Sequence, residues 1–294
     1  MGFLCIDRGV QIFERPEMKQ PEMILNLEKE IVGNIKKIPQ GPISLLLSGG
    51  IDSSLVLALV KKVYPETPIH TFTLARNRDY PDLVFARRVA DLFGTDHHEI
   101  IPGDSEYEDL KKEYDGIKKY NLKGDVNVYI LCSVASEFSK TIVTGDGGDE
   151  CFGGYWLHEH PLGHRETGQI KCFEDINPHP RKHLKEMVRL GFRDFFYKAE
   201  SEARDYDEVW EYFVKVMLPN HLEPLMHTSE VLDIDVYTPL FSDNLLNFIR
   251  NLPPKERIGR KIERDLAACY LPKSIIERES IGFDLALDKE AIVV

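Results

Sequence analysis

The chain is poor in the features that staple, anchor or steer a protein. It holds five cysteines in 294 residues (Cys5, Cys132, Cys151, Cys172 and Cys269), odd in number, scattered, and without a Cys-x-x-Cys. That argues against a disulfide framework and against a zinc or iron–sulfur site, and it fits reduced thiols in a cytoplasm. No run approaches the about 18–20 apolar residues of a membrane span. Residues 1–10 lack a basic stretch followed by an apolar run, so no signal peptide is expected. Positive charge is scarce as well: 37 Lys and Arg stand against 49 Asp and Glu, a formal net charge of −12. A nucleic-acid partner calls for a basic footprint, so that class is set aside. The charged run over 106–119 reads as a solvated helix face, and there are no internal repeats or low-complexity tracts.

What is there is an alternation of short apolar runs and helical patterns. With 43% hydrophobic residues a sizeable core is available. Residues 1–21 read as irregular, broken by Pro16 and Pro21. Ile24, Leu27, Ile31 and Ile35 have helical spacing, predicting a helix over 23–38 that Pro39-Gln40-Gly41-Pro42 ends. Strands are then expected at 43–47, 69–74, 97–101 and 141–144, with helices at 53–63, 81–93 and about 128–139 between them. Such alternation predicts a parallel sheet with helices on both faces. After residue 155 the pattern turns helical and aromatic-rich (184–197, 208–217, 244–252 and 261–270), a helical layer without a clear linker.

Two glycine-rich turns fall at predicted strand ends. In the first, Leu45-Leu46-Leu47 runs into Ser48-Gly49-Gly50, and Asp52, Ser53 and Ser54 open the next helix. Glycines let the backbone approach a ligand, and unpaired N–H groups at a helix start suit an anion such as pyrophosphate. No Gly-Lys-[Ser/Thr] follows, so this is not the Walker A loop. A strand–turn–helix with no ligand remains the plain alternative. In the second turn, Thr144-Gly145-Asp146-Gly147-Gly148-Asp149-Glu150 sets three carboxylates within five residues. Such a cluster suits a hard cation, and beside a pyrophosphate loop the expected ion is Mg²⁺. Standing alone it would be an acidic surface turn. Parallel sheets bind ligands beyond the carboxyl ends of their strands, which joins the two turns in one site.

Ser-Gly-Gly-x-Asp-Ser resembles the PP-loop of ATP pyrophosphatases. Together with Gly145-Asp146-Gly147-Gly148-Asp149-Glu150-Cys151-Phe152-Gly153-Gly154-Tyr155, it resembles the ATP-dependent synthetase domain of the asparagine synthetase family. Weaker stations continue at 69–74, 82–100, Val236 to Phe241, Asn251-Leu252-Pro253-Pro254, Leu271-Pro272 and Gly282-Phe283. The resemblance implies an adenine nucleotide alpha hydrolase-like α/β fold, divided into an N-terminal segment and helix (1–40), an ATP-binding core (41–160) and a helical C-terminal part (161–294). It implies ATP and Mg²⁺ as cofactors. The activity it implies is adenylation of a carboxylate, by default aspartate, with release of pyrophosphate and attack by ammonia or an amine.

By the same resemblance, Ser48, Gly49, Gly50, Asp52, Ser53 and Ser54 hold the pyrophosphate end, and Leu47, Leu74, Thr144 and Gly145 correspond to adenosine contacts. Asp52 and Asp149 would reach Mg²⁺. Asp146 and Tyr155 fall at the positions of a Glu–Tyr pair that handles protons, with Asp146 one methylene shorter than the usual Glu. Three departures matter. Residue 2 is Gly2 where the common type has a nucleophilic Cys, and the synthetase motifs begin near residue 43. The glutaminase domain is therefore expected to be absent, and nitrogen to come from ammonia, another amine or a separate glutaminase subunit. Ser280 stands where the family has a Lys, and a hydroxyl is no substitute for an ammonium charge. Arg260, Lys261, Lys273 and Arg278 are cations that could take its place. Tyr237 and Ser242 replace the usual Arg and Asp near the acceptor side, with Asp243 one residue on. These changes leave two other readings open: the same chemistry on another acid, as in the β-lactam synthetase relatives, or a non-catalytic nucleotide-binding subunit with a partner chain. A homo-oligomer stays open as well.

The ten histidines invite a metal reading. His97-His98 sits at a strand start and matches a family pattern that is not a metal pair. His158, His160 and His164 are irregularly spaced, and a solvent or hydrogen-bonding role is the default. Trp156 and Trp210 read as packing residues.

Overall fold

The computed structural model describes residues 4–7, 10–13, 22–117, 125–154, 207, 210–211 and 213–278. Tyr155, Trp156, His158, His160, His164, Cys172, the helix expected over 184–197, Ser280, Gly282 and Phe283 lie outside them. The N-terminal residues read as irregular form an antiparallel pair, β1 (Leu4–Asp7) and β2 (Val10–Phe13). After α1 (Glu22–Ile35) the chain alternates through β3 (Ile43–Leu46), α2 (Ile51–Val63), β4 (Ile69–Leu74), α3 (Pro81–Phe93) and β5 (Asp96–Ile100). Next come α4 (Asp104–Ile117), α5 (Asp125–Ser136), β6 (Thr141–Val143) and α6 (Gly148–Phe152). A π-helical turn at Phe213–Met217 leads into α7 (Leu218–Leu232), followed by β7 (Asp235–Tyr237) and α8 (Asp243–Arg250). Short helices α9 (Pro254–Arg257), α10 (Lys261–Ala267) and α11 (Lys273–Ile276) close the described chain.

Strands β3 to β7 make one parallel sheet in the order β5-β4-β3-β6-β7. Alternation along β3 feeds two cores. Ile43, Leu45 and Leu47 pack with Leu27, Ile31 and Ile35 of α1 and with α2 on one face. Leu46 packs with Phe72, Leu74, Ile130 and Ile142 on the other. Ser44, on that second face, donates its hydroxyl to Ala135 O at 2.8 Å, so the buried polar group is satisfied. The C-terminal helices serve both faces: α8 and α10 join α1 and α2, and Leu225 of α7 joins α5. The described part of the solvated face expected over 106–119 falls on α4, where Tyr114 is the buried residue. Among the described residues no helix is long and apolar enough to cross a membrane.

Helix ends follow local chemistry. Pro81 starts α3, where its missing N–H is no loss, and Gly94 ends it in the left-handed conformation. Ser242 caps α8 by accepting from Leu245 N–H. It also accepts from Asn34 Nδ2 at 3.0 Å, so this hydroxyl holds helices together.

Candidate active site at the strand switch point

The chain leaves β3 toward β4 and β5 on one side and returns as β6 on the other, so the sheet order reverses between β3 and β6. Open parallel sheets bind ligands at such a switch point. Both glycine-rich turns lie there.

The first turn is wired internally. Ser48 N–H donates to Ser53 Oγ at 3.2 Å, and the two hydroxyl oxygens lie 3.1 Å apart. Gly50 N–H donates to Ser48 Oγ at 3.2 Å. No side chain caps α2 at Gly50, so the helix presents its first N–H groups bare. Ser54 Oγ, fully buried one turn in, has no hydrogen-bond partner. Gly49 has φ +70°, and a Cβ there would stand 2.3 Å from Ala86 N. Its glycine is therefore demanded by the backbone and by α3. Leu47 and Leu74 are each 1% exposed, their side chains turned into the two cores. Leu47 N–H donates to Phe72 O and its carbonyl accepts from Thr73 Oγ1.

The second turn packs on the first. A Cβ on Gly145 would lie 2.6 Å from Ser53 N, and one on Gly148 would overlap Asp52 Oδ1. Gly147, at φ +94°, opens α6. Thr144 N–H donates to Tyr237 O at 3.0 Å, which ties the turn to β7.

Charge is concentrated where the turns meet. Asp52 and Asp149 are brought together by one guanidinium: Arg260 Nη2 pairs with Asp52 Oδ1, and Nη1 with Asp149 Oδ1 at 2.7 Å. Arg260 Nε also donates to Glu263 Oε2 at 2.7 Å. Arg260 is 7% exposed and Glu263 fully buried. Three carboxyl groups thus share one cation. Burial pushes Asp52 up, to about 8; Arg260 opposes this and Glu263 adds to it. Burial likewise raises Asp149, against the pull of Arg260 and with the push of Asp52. Glu263 Oε1 is buried without a partner. Carboxyls that burial drives toward their neutral form, beside an orphaned carboxylate oxygen, are what a divalent cation would re-ionise and satisfy, so Asp52 and Asp149 fit Mg²⁺ with Arg260 as a standing counter-ion. Arg260 also takes a left-handed backbone (φ 61°), a conformation that costs a non-glycine residue about 1–2 kcal/mol. Strain of this kind gathers at functional sites.

Asp146 is built differently. Its Oδ2 accepts from Thr144 Oγ1 at 2.8 Å and its Oδ1 lies 3.3 Å from His221 Nε2. Burial works against its charge, but His221 and Thr144 prevail and hold the carboxyl below its usual range. His221 loses by burial and gains more from Asp146, then Glu150 and Asp149, and rises to about 9. The pair is an imidazolium–carboxylate at neutral pH. Arg278 adds a further cation: Nη1 donates to Ser48 O at 2.8 Å while Nη2 pairs with Asp82.

The sequence names Arg260 and Arg278 only as nearby cations, and His221 and Glu263 not at all. Arg260 lies 208 residues from Asp52 and His221 lies 75 from Asp146. Neither carries a local motif; Arg260 entered the sequence reading only as a possible stand-in for the family Lys replaced by Ser280, and nothing in the sequence pointed to His221.

Residues 37–292 match the asparagine synthase family. A putative glutamine-hydrolyzing asparagine synthetase of Methanocaldococcus jannaschii is 31% identical over 119 residues, 40% of this chain and 23% of that protein. A probable one from Acanthamoeba polyphaga mimivirus is 25% identical over 263 residues, 85% of this chain and 40% of that protein. The chain thus spans less than half the length of these relatives. Among solved structures, the NH3-dependent NAD synthetase of Campylobacter jejuni overlays at a TM-score of 0.34 with 14% identity, over 83% of this chain and 95% of that one. The match over most of its length places this chain in the asparagine synthase family.

Proposed function

We propose that the chain is an ATP-dependent amide synthetase. A substrate carboxylate oxygen attacks the α-phosphorus of ATP and pyrophosphate leaves; ammonia or an amine then attacks the acyl-adenylate and AMP leaves. The observation that carries this reading is the packing of the two glycine-rich turns at the switch point, which sets Asp52 and Asp149 beside the bare start of α2. The N–H groups over 48–54 receive the pyrophosphate end. Asp52 and Asp149 are the residues to hold Mg²⁺, which supplies charge neutralisation to the phosphates. Asp146, kept ionised by Thr144 and His221, takes up charge or a proton from the attacking amine, and Tyr155 joins it by resemblance. Thr144, Gly145, Leu47 and Leu74 border the adenosine, the leucines through their backbone.

Aspartate is the default acid and ammonia the default amine, delivered free or by a separate glutaminase chain. A second reading, the same chemistry on another acid, is favoured by Ser242, whose hydroxyl caps α8 and leaves no carboxylate at that position. Cys132, Cys151 and Cys269 are free thiols, which supports a cytoplasmic setting. Carboxylate-dependent exchange of labelled pyrophosphate into ATP tests the proposal. Exchange with aspartate supports the default, and exchange with another acid redirects it. ATP binding without exchange for any acid would leave a nucleotide-binding subunit.

A further inference from the structure

A second cluster of ligand-bearing side chains sits at the opposite end of the sheet, on the β4–β5 edge. The parallel register sets His70 beside Asp96 and Phe72 beside His98. Alternation then puts His70, Asp96 and His98 on one face and sends His97 to the other, where its Nδ1 lies 3.0 Å from Thr71 Oγ1. The adjacent His97-His98 pair of the sequence is thus split, and His98 meets a histidine 28 residues earlier.

The three donor atoms form a near-equilateral triangle. His70 Nδ1 lies 3.1 Å from Asp96 Oδ2 and 3.4 Å from His98 Nε2, and His98 Nε2 lies 3.3 Å from the same oxygen. Donors held about 2.0–2.1 Å from a tetrahedral zinc ion stand about 3.3 Å from one another. Two imidazole nitrogens and one oxygen therefore already occupy three corners of such a tetrahedron. The rings are fixed from behind. Phe72 stacks on His98 with centroids 4.8 Å apart, and Phe138 lies 4.3 Å from His98 and 5.0 Å from His70. The histidine side chains are about three-quarters buried, while Asp96 is 64% exposed, so the fourth corner faces solvent.

We propose that His70, Asp96 and His98 bind one zinc ion, or a like first-row dication, with water in the fourth position, and that the ion clamps edge strand β5 to β4. Imidazole and carboxylate donors in tetrahedral array favour zinc over the hard cation suited to the switch-point carboxylates. A ligand bound by the folded edge alone stabilises it by mass action, and an exposed sheet edge gains most from such a clamp.

The test uses the full chain, stripped with a chelator and titrated calorimetrically with Zn²⁺ and separately with Co²⁺. One zinc per chain at micromolar affinity, a four-coordinate cobalt absorption band and a raised melting temperature are expected. His70→Gln and His98→Gln should each weaken zinc at least tenfold and erase the cobalt band, and His97→Gln should do neither. Asp96→Asn, at a side chain 64% exposed, should weaken zinc as well. No zinc uptake by the wild type overturns the assignment. So does binding that survives His70→Gln, His98→Gln and Asp96→Asn, which would place the ion elsewhere.

Discussion

The two glycine-rich turns touch across the β3–β6 junction, yet they are held by different forces. In the first, hydroxyls and backbone N–H groups satisfy one another locally, within Ser48, Gly50 and Ser53. In the second, carboxylates find partners far away in sequence, Asp149 at Arg260 and Asp146 at His221. The first turn is chiefly a shape, closed at Gly49 where no Cβ fits. The second has tight glycines of its own, Gly145 and Gly148, and adds a charge distribution balanced by residues brought in from the C-terminal helices. A turn held by shape fails when volume is added, and a turn held by charge fails when a counter-ion is removed.

The largest effect is expected at the charge side. Arg260→Leu leaves Asp52, Asp149 and Glu263 together without a cation, and loss of one partner of a buried ion pair costs about 3–5 kcal/mol. Denaturant melts should show that loss, and added Mg²⁺ should restore part of it; an unchanged midpoint would mean the guanidinium contributes no net stability.

The shape side is sharpened by comparing neighbours. Gly49→Ala forces a Cβ onto the Ala86 backbone in a left-handed conformation and should cost about 3 kcal/mol. Gly50 has φ −77°, and a Cβ there meets only Ser48 Oγ at 3.3 Å, so Gly50→Ala should cost under about 1 kcal/mol. Equal melting temperatures for the two variants would break the distinction. Gly50→Ala is thus the better probe of phosphate approach in a folded chain.

Next come the shared carboxylates. Asp52→Asn and Asp149→Asn should each raise the Mg²⁺ concentration needed for pyrophosphate exchange about 10–100-fold with the fold intact. Full exchange at low Mg²⁺ in both would make these groups structural.

The smallest effect concerns His221. Its pKa is raised from 6.5 to about 9, so the stability it lends is complete below about 6.5 and is lost as pH rises through 9. Asp146, Asp149 and Glu150 face it, and Asp146→Asn removes its hydrogen-bonded partner. NMR titration of the imidazole should then move toward 6.5, and the alkaline loss of stability should shrink. A titration unmoved by Asp146→Asn would assign the shift to Asp149 and Glu150.

Much of the sheet was legible because its signals are local. Short runs of apolar and β-branched residues announced β3, β4 and β6, with small shifts at the ends, whereas β5, whose one apolar residue is Ile100, was legible through the family resemblance over 82–100. β7 was legible only as a family station, being three residues long. The β1–β2 pair was missed because residues 1–21 read as irregular, broken by Pro16 and Pro21, and each strand is only four residues long.

By itself the sequence determined the alternation that makes a parallel sheet, the two turns at its strand ends and the carboxylates on them. Those depend on side-chain period and backbone freedom, properties of neighbouring residues. Only the tertiary structure decided that β6 returns beside β3, that one guanidinium from residue 260 joins Asp52 to Asp149, and that His70, Asp96 and His98 share a face. Those depend on strand order and register, which bring together residues that no spacing along the chain relates.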